Sequence, residues 1–117
     1  MRSHRRLLAS LALAAQLPGA ETAAVAILKK NCVSCHGEKP SANLDLRTRE
    51  TTLRGGARGP AVVPGDVLES LLYRTITHEA DIKMPFNQPK LSDADIKTVR
   101  DWIEDGAKWD DDGGAAK

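Results

Sequence analysis

The sequence predicts an all-α fold in which three main helices are joined by long loops. Three segments place apolar residues three or four positions apart, which is the spacing of one helix face. The stretches between them are rich in glycine and proline, which interrupt regular structure. Strand signals are nearly absent, because the one β-favouring patch, Ala61–Val63, lies between Pro60 and Pro64. With 117 residues, the chain is long enough for one domain and too short for two.

The first twenty residues are predicted to be a secretory signal peptide and not part of the fold. Met1–Arg6 carries three arginines and no acid, and Leu7–Leu17 is an uncharged run rich in Leu and Ala. A basic start, a short apolar centre and small residues at Gly19 and Ala20 are typical of such a peptide. The apolar run is shorter than the roughly 20 residues that a membrane span needs. We therefore expect an exported chain that begins at residue 21.

The cleavage point is less well defined, and removal of the peptide changes the net charge. Pro18 stands three positions before the end, where a small residue is preferred, so Ala14 and Ala23–Ala24 are alternatives. Residues 1–20 hold three of the 17 basic residues and none of the 16 acidic ones, so the net charge falls from +1 to −2. This balance excludes a nucleic-acid binder driven by bulk positive charge.

The first predicted helix covers about Ala23–Asn31. Thr22 can act as its N-cap, and Ile27 and Leu28 are its candidate inward residues. The glycine-rich segment from residue 38 to residue 64 is predicted to be an ordered loop, with one turn of helix near Thr48–Leu53.

The second and third main helices are predicted in the C-terminal half. Val67 to about Thr77 has an apolar stripe, and two prolines keep residues 78–91 in a loop. Ser92 and Asp95 resemble a capping box, and Gly106 is placed to end the helix that follows. The inward residues of this last helix are Ile96, Val99, Trp102 and Ile103. Residues 110–117 are acidic and small, and are predicted to be a disordered tail.

The chemistry of the chain is concentrated in the segment Cys32-Val33-Ser34-Cys35-His36. Two cysteines three positions apart and followed at once by histidine are the attachment signature of c-type haem. The thiols of Cys32 and Cys35 can add to the two vinyl groups on one edge of a porphyrin, and His36 then becomes the proximal iron ligand. With only four Phe, Tyr or Trp residues, the domain would also gain the apolar mass of the macrocycle.

Three other interpretations of the two cysteines remain open at this point. A disulfide would close a very short loop and would add little stability. A thioredoxin-type site would need a strand-and-crossover context, which the sequence lacks. A zinc site needs four ligands, and besides the motif the chain offers only His78 and carboxylates.

Met84 is the main candidate for the second axial ligand of the iron. It lies before Pro85, which favours an extended backbone at residue 84, and in a loop between two helices. His78 is the competing ligand, and a five-coordinate open iron is the third alternative. Arg54 and Arg58 flank a Gly-Gly pair and are candidates for contacts with the haem propionates, or else solvated loop arginines.

The order of these segments resembles class I cytochrome c and, more narrowly, the planctomycete-type cytochrome c domain. Met84-Pro85-Phe86 departs from the Met-Pro-Pro often seen in such domains. The segments that carry the resemblance are Asn31–Gly37, Leu44–Arg47, Gly55-Gly56, Gly59–Gly65, Ser70–Leu72, Lys83–Pro85 and Leu91–Ile103. The resemblance implies a small helical fold around one covalently attached haem c, with residues 21–109 as the haem domain.

The function that the resemblance implies is single-electron transfer between redox partner proteins in the periplasm or another exported location. We expect a carrier and not an enzyme, with no nucleic-acid partner and no membrane span in the mature chain. The alternatives are a haem-based binding or sensing module and a haem subunit of a larger redox enzyme. Five lysines lie close in sequence to the two segments that carry the candidate ligands, and they predict a positively charged docking face for a partner protein. These lysines are Lys29, Lys30, Lys39, Lys83 and Lys90.

Overall fold

The computed structural model describes residues 22–109, and within this range the chain is helical. No strand forms among these residues; the nearest approach to one is an isolated bridge between Gly56 and Gly59. The all-α prediction is therefore confirmed, whereas the predicted signal peptide and acidic tail lie outside the described residues. The elements are α1 (Ala23–Asn31), a 3₁₀ turn (Ser41–Asn43), α2 (Arg49–Arg54), α3 (Leu71–Ile76) and α4 (Asp93–Glu104).

Helix α1 has the predicted bounds and the predicted cap. The Thr22 hydroxyl accepts a hydrogen bond from the backbone N–H of Val25 at 3.1 Å, which satisfies one of the free amide groups of the first turn. Ala24, Val25 and Leu28 form its buried face. Ile27, predicted to point inward, is half-buried at the edge of the core.

Helix α2 confirms the single helical turn predicted in the long loop. The Thr48 hydroxyl accepts from the Thr51 amide at 3.1 Å and caps its first turn. The Arg49 guanidinium donates to the carbonyl oxygens of Ala107 at 2.9 Å and Gly106 at 3.1 Å. These hydrogen bonds connect the middle of the long loop to the residues that directly follow α4.

Helix α3 is shorter than the prediction of Val67 to about Thr77, and it begins four residues later. The segment before it is held in turns by side chains, because the Asp66 carboxylate accepts from the Glu69 amide at 3.2 Å. The Ser70 hydroxyl donates back to the carbonyl oxygen of Asp66 at 2.8 Å. Leu68, within the predicted range of this helix, is consequently 71% exposed. Local side-chain bonding thus competes with the helix here.

Helix α4 is the central element of the core, because both α1 and α3 pack against it. The Ser92 hydroxyl accepts from the Asp95 amide at 3.0 Å, and Gly106 follows the helix with a φ of +108°, as predicted. The Trp102 ring meets Trp109 edge to face, with ring centroids 5.9 Å apart. The four predicted inward residues are all buried: Ile96, Val99, Trp102 and Ile103.

The helices of residues 22–109 are all too short or too polar to cross a lipid bilayer.

Candidate functional site

The loops that follow α1 and α3 enclose a cavity of about 810 Å³. Cys32, Cys35 and His36 line it from the segment after α1, and Met84 lines it from the loop after α3. Its lining is predominantly apolar, with leucine and isoleucine side chains from both halves of the chain. The structure therefore brings all four residues of the predicted site to one cavity.

The end of α1 turns the two cysteines toward this cavity. The amides of Cys35 and His36 donate to the carbonyl oxygen of Cys32 at 3.3 and 2.9 Å, which folds the motif into a tight turn. Cys32 is half-buried and Cys35 is exposed, and both are free thiols. A Cβ atom on Gly37 would lie 2.5 Å from the carbonyl oxygen of Val33, so the turn requires glycine directly after the histidine.

His36 is buried and oriented by a backbone group. The residue is only 9% exposed, and its Nδ1 atom lies 3.2 Å from the carbonyl oxygen of Ser41. Because a carbonyl oxygen can only accept, this bond places the proton on Nδ1 and leaves the lone pair of Nε2 free for a metal. The sequence could not indicate Ser41, since every residue type carries the same carbonyl group.

Met84 is held through both groups of its backbone. Its amide donates to the carbonyl oxygen of Thr75 at 3.1 Å, near the end of α3. Its own carbonyl oxygen accepts from Nε2 of His78 at 3.2 Å. Its side chain is half-buried and lines the cavity.

His78, the competing ligand in the sequence-based prediction, occupies a different place. It does not line the cavity, and its ring contacts the backbone of Met84 instead. The bond to a carbonyl oxygen requires the proton on Nε2. Of these two residues, only Met84 lines the cavity that His36 also lines.

The two candidate arginines are separated by the structure. Arg58 lines the cavity and is exposed to solvent. Arg54 instead borders a second, shallow depression together with Pro40 and Asn43. Of the two, only Arg58 is placed to meet a charged group at the mouth of the large cavity.

The electrostatics of Cys32 differ from those of a redox-active thiol. Burial, and after it the neighbouring Cys35 thiol, raises the pKa of Cys32 from 9.0 to about 11. Thiols that exchange disulfides or bind zinc are those whose pKa is lowered toward neutrality. Cys32 keeps its proton at neutral pH, and within residues 22–109 no three His, Cys, Asp or Glu side chains converge on a common metal position.

The donor set and the shape of the cavity fit a haem. Two thiols, an imidazole and a thioether surround an apolar space whose volume lies within the roughly 300–1,000 Å³ of small-molecule sites. The backbone approaches closely at Gly56, where an added Cβ would lie 2.6 Å from the carbonyl oxygen of Ala42. Gly56 also lines the cavity, so glycine is required at this part of the wall by its close packing against Ala42.

A helical shell around a cavity lined by a Cys-x-x-Cys-His motif and a loop methionine is the arrangement typical of c-type cytochromes. Residues 32–86 match the family model described as planctomycete cytochrome C. The match agrees with the resemblance seen in the sequence and covers 55 of the 117 residues. No curated protein and no solved structure gives a significant match to the chain.

Proposed function

We propose that this protein is an exported mono-haem c-type cytochrome that carries single electrons between redox partners. One observation carries the proposal: Cys32, Cys35, His36 and Met84 line the same cavity although the last lies far along the chain from the first three. The match to the planctomycete cytochrome C family supports the haem assignment.

Each of the four residues has a defined task in this proposal. Cys32 and Cys35 would hold the haem through two thioether bonds, since each S–H bond would add across one vinyl group, with sulfur and hydrogen going to its two carbons and no oxidant needed. His36, with Nδ1 bonded to Ser41, offers Nε2 as the proximal ligand. Met84 would hold the iron through its thioether sulfur. When bound, the haem supplies a reversible one-electron couple.

The surroundings of the site favour electron transfer over substrate chemistry. Apolar side chains form most of the cavity lining, and a second protein ligand would leave the iron no coordination position for a substrate. A thioether as second ligand raises the potential relative to a second imidazole. We therefore propose a carrier and not an enzyme, and we assign Arg58 to the propionates.

The decisive comparison is between the wild type and Met84→Ala. We expect the wild type to be six-coordinate and low-spin in both oxidation states, and its ferrous form to bind carbon monoxide poorly. Met84→Ala opens one coordination position, so the ferrous variant should bind carbon monoxide rapidly. Ile82→Ala is the matched control, because it also removes an apolar group from the cavity lining but no ligand.

Rapid carbon monoxide binding by the wild type itself would favour the sensing module over the carrier. Equal behaviour of the wild type and Met84→Ala would remove Met84 from the ligand set.

We also propose that the mouth of the cavity docks an acidic partner surface. The side chains that line the cavity include Lys30, Arg58 and Lys90 but no Asp or Glu. The other lysines of the predicted docking face, Lys29, Lys39 and Lys83, are exposed as well. A local excess of positive charge steers anionic partners toward the exposed haem edge.

Oxidation of the reduced protein by the anionic reagent hexacyanoferrate(III) tests this docking face. We expect the rate to fall as ionic strength rises, because salt shortens the Debye length to about 10 Å at 0.1 M. Lys90→Glu should lower both the rate and its salt dependence. Lys97→Glu makes the same charge change on α4, away from the cavity lining, and should alter neither quantity appreciably. Equal effects of the two variants would contradict a localised face.

Export and domain limits complete the proposal. We propose that residues 1–20 are cleaved, that residues 21–109 form the haem domain and that residues 110–117 are an acidic tail. The basic, apolar and small-residue segments of residues 1–20 support the first point. N-terminal sequencing of the protein secreted into a bacterial periplasm tests it.

A further inference from the structure

We propose that His78 is a positioning residue that holds Met84 over the cavity through a hydrogen bond to the Met84 backbone. The inference rests on the proposed function, since it takes Met84 to be the distal ligand. It concerns a residue that the haem-binding motif does not include and that does not touch the cavity.

The backbone of His78 adopts a conformation that glycine takes more readily than other residues. His78 has a φ of +65°, in the left-handed region that favours glycine. A side chain at such a position carries a conformational cost, and costs of this kind persist where the surrounding structure compensates for them. Here the compensation is the bond from Nε2 to the carbonyl oxygen of Met84 at 3.2 Å.

The same end of α3 holds both sides of Met84. The carbonyl oxygen of Thr75 accepts from the amide of His78 and from the amide of Met84, each at 3.1 Å. The His78 ring then reaches the carbonyl group of Met84. The residue that carries the thioether is thus fixed at its N–H by the helix end and at its C=O by the imidazole.

Loss of the imidazole removes one of these two restraints. The carbonyl group of Met84 would then lose its donor while the bond to Thr75 remains. The loop would sample arrangements in which the sulfur has left the iron, and carbon monoxide binding is limited by the population of those arrangements. One ordinary hydrogen bond corresponds to roughly a three- to ten-fold change in such a population.

The experiment compares the haem-loaded wild type with His78→Gly, His78→Gln and Met84→Ala. Glycine suits a φ of +65°, so His78→Gly should fold and still lack the donor. We expect its ferrous form to bind carbon monoxide roughly three to ten times faster than the wild type. The methionine–iron charge-transfer band of the ferric form should weaken in parallel. Glutamine keeps an N–H donor at a similar reach, so His78→Gln should return both readouts toward wild-type values.

Each other pattern of results overturns the proposal in a distinguishable way. If His78→Gly behaves like the wild type while ferrous Met84→Ala binds carbon monoxide rapidly, the positioning role is overturned and the proposed function is left intact. If the iron of Met84→Ala is six-coordinate and that of His78→Gly is five-coordinate, His78 is the ligand and its positioning role is overturned. Wild-type behaviour of Met84→Ala overturns the ligand assignment itself. Thermal unfolding of all four proteins separates these effects from a general loss of stability.

Discussion

At the scale of single residues, two histidines of the same chemistry differ through the backbone groups they meet. His36 uses Nδ1 to bond the carbonyl oxygen of Ser41 and keeps Nε2 free beside the cavity. His78 uses Nε2 to bond the carbonyl oxygen of Met84 and lies outside the lining. The sequence motif predicted the role of His36, whereas nothing in the sequence marks a carbonyl acceptor. The position of His78 therefore became clear only from the structure.

An ion pair in the segment after the motif has a pH dependence of defined sign. Arg47 donates to both carboxylate oxygens of Asp45, at 3.0 and 2.9 Å, and this hydrogen bonding lowers the pKa of Asp45 below 3.8. Because the folded-state pKa lies below the unfolded one, the stabilisation is present above pH 3.8 and is lost as pH falls through the folded value.

Asp45→Asn should therefore lower the stability of the haem-loaded protein at pH 7 and have no effect in strong acid. The Arg47 partner is exposed, so we expect at most about 1 kcal/mol at neutral pH. Thermal unfolding from pH 7 down to pH 2 checks this, with Glu69→Gln, at an exposed loop carboxylate, as the control for overall charge. A difference between the wild type and Asp45→Asn that grows in acid would contradict the assigned sign.

At the scale of elements, the capping residues explain which helices the sequence predicted well. Thr22, Thr48 and Ser92 each accept an amide hydrogen bond in the first turn of a helix whose position was predicted. Helix α3 has no such side-chain bond at its N-cap, Ser70. The Ser70 hydroxyl is directed instead to the preceding turn, and the sequence pattern placed the start of this helix too early. The hydrogen bonds from Arg49 to the segment after α4 could not be predicted from the sequence either, because their acceptors are backbone carbonyl groups.

The cap of α4 should contribute measurably to stability. Ser92→Ala removes the acceptor for the Asp95 amide, and we expect a loss of about 1 kcal/mol in the free energy of unfolding. Ser92→Gly exposes that amide to water and should cost only a few tenths of a kcal/mol. Urea unfolding of the haem-loaded proteins measures both. Equal stability of the wild type and Ser92→Ala would show that the cap contributes nothing here.

At the scale of the whole molecule, the cavity is lined by segments from both halves of the chain. Its volume of about 810 Å³ lies within the roughly 300–1,000 Å³ of small-molecule sites. The apolar walls come from segments on both sides of α3, and α4 packs behind them. The shortage of large aromatic residues that the sequence showed is thus matched by a space of the size of a cofactor. We infer that haem completes the core as well as the site.

The most direct test of the central claim is the intact mass and visible spectrum of the protein from a host that attaches haem to exported chains. We expect the mass of the processed chain plus one haem, a reduced spectrum typical of a c-type cytochrome, and survival of the colour after acid–acetone extraction. Cys32→Ala/Cys35→Ala should be colourless and largely unfolded at the same temperature. A colourless wild type, with both cysteines free or joined to each other, would contradict the account.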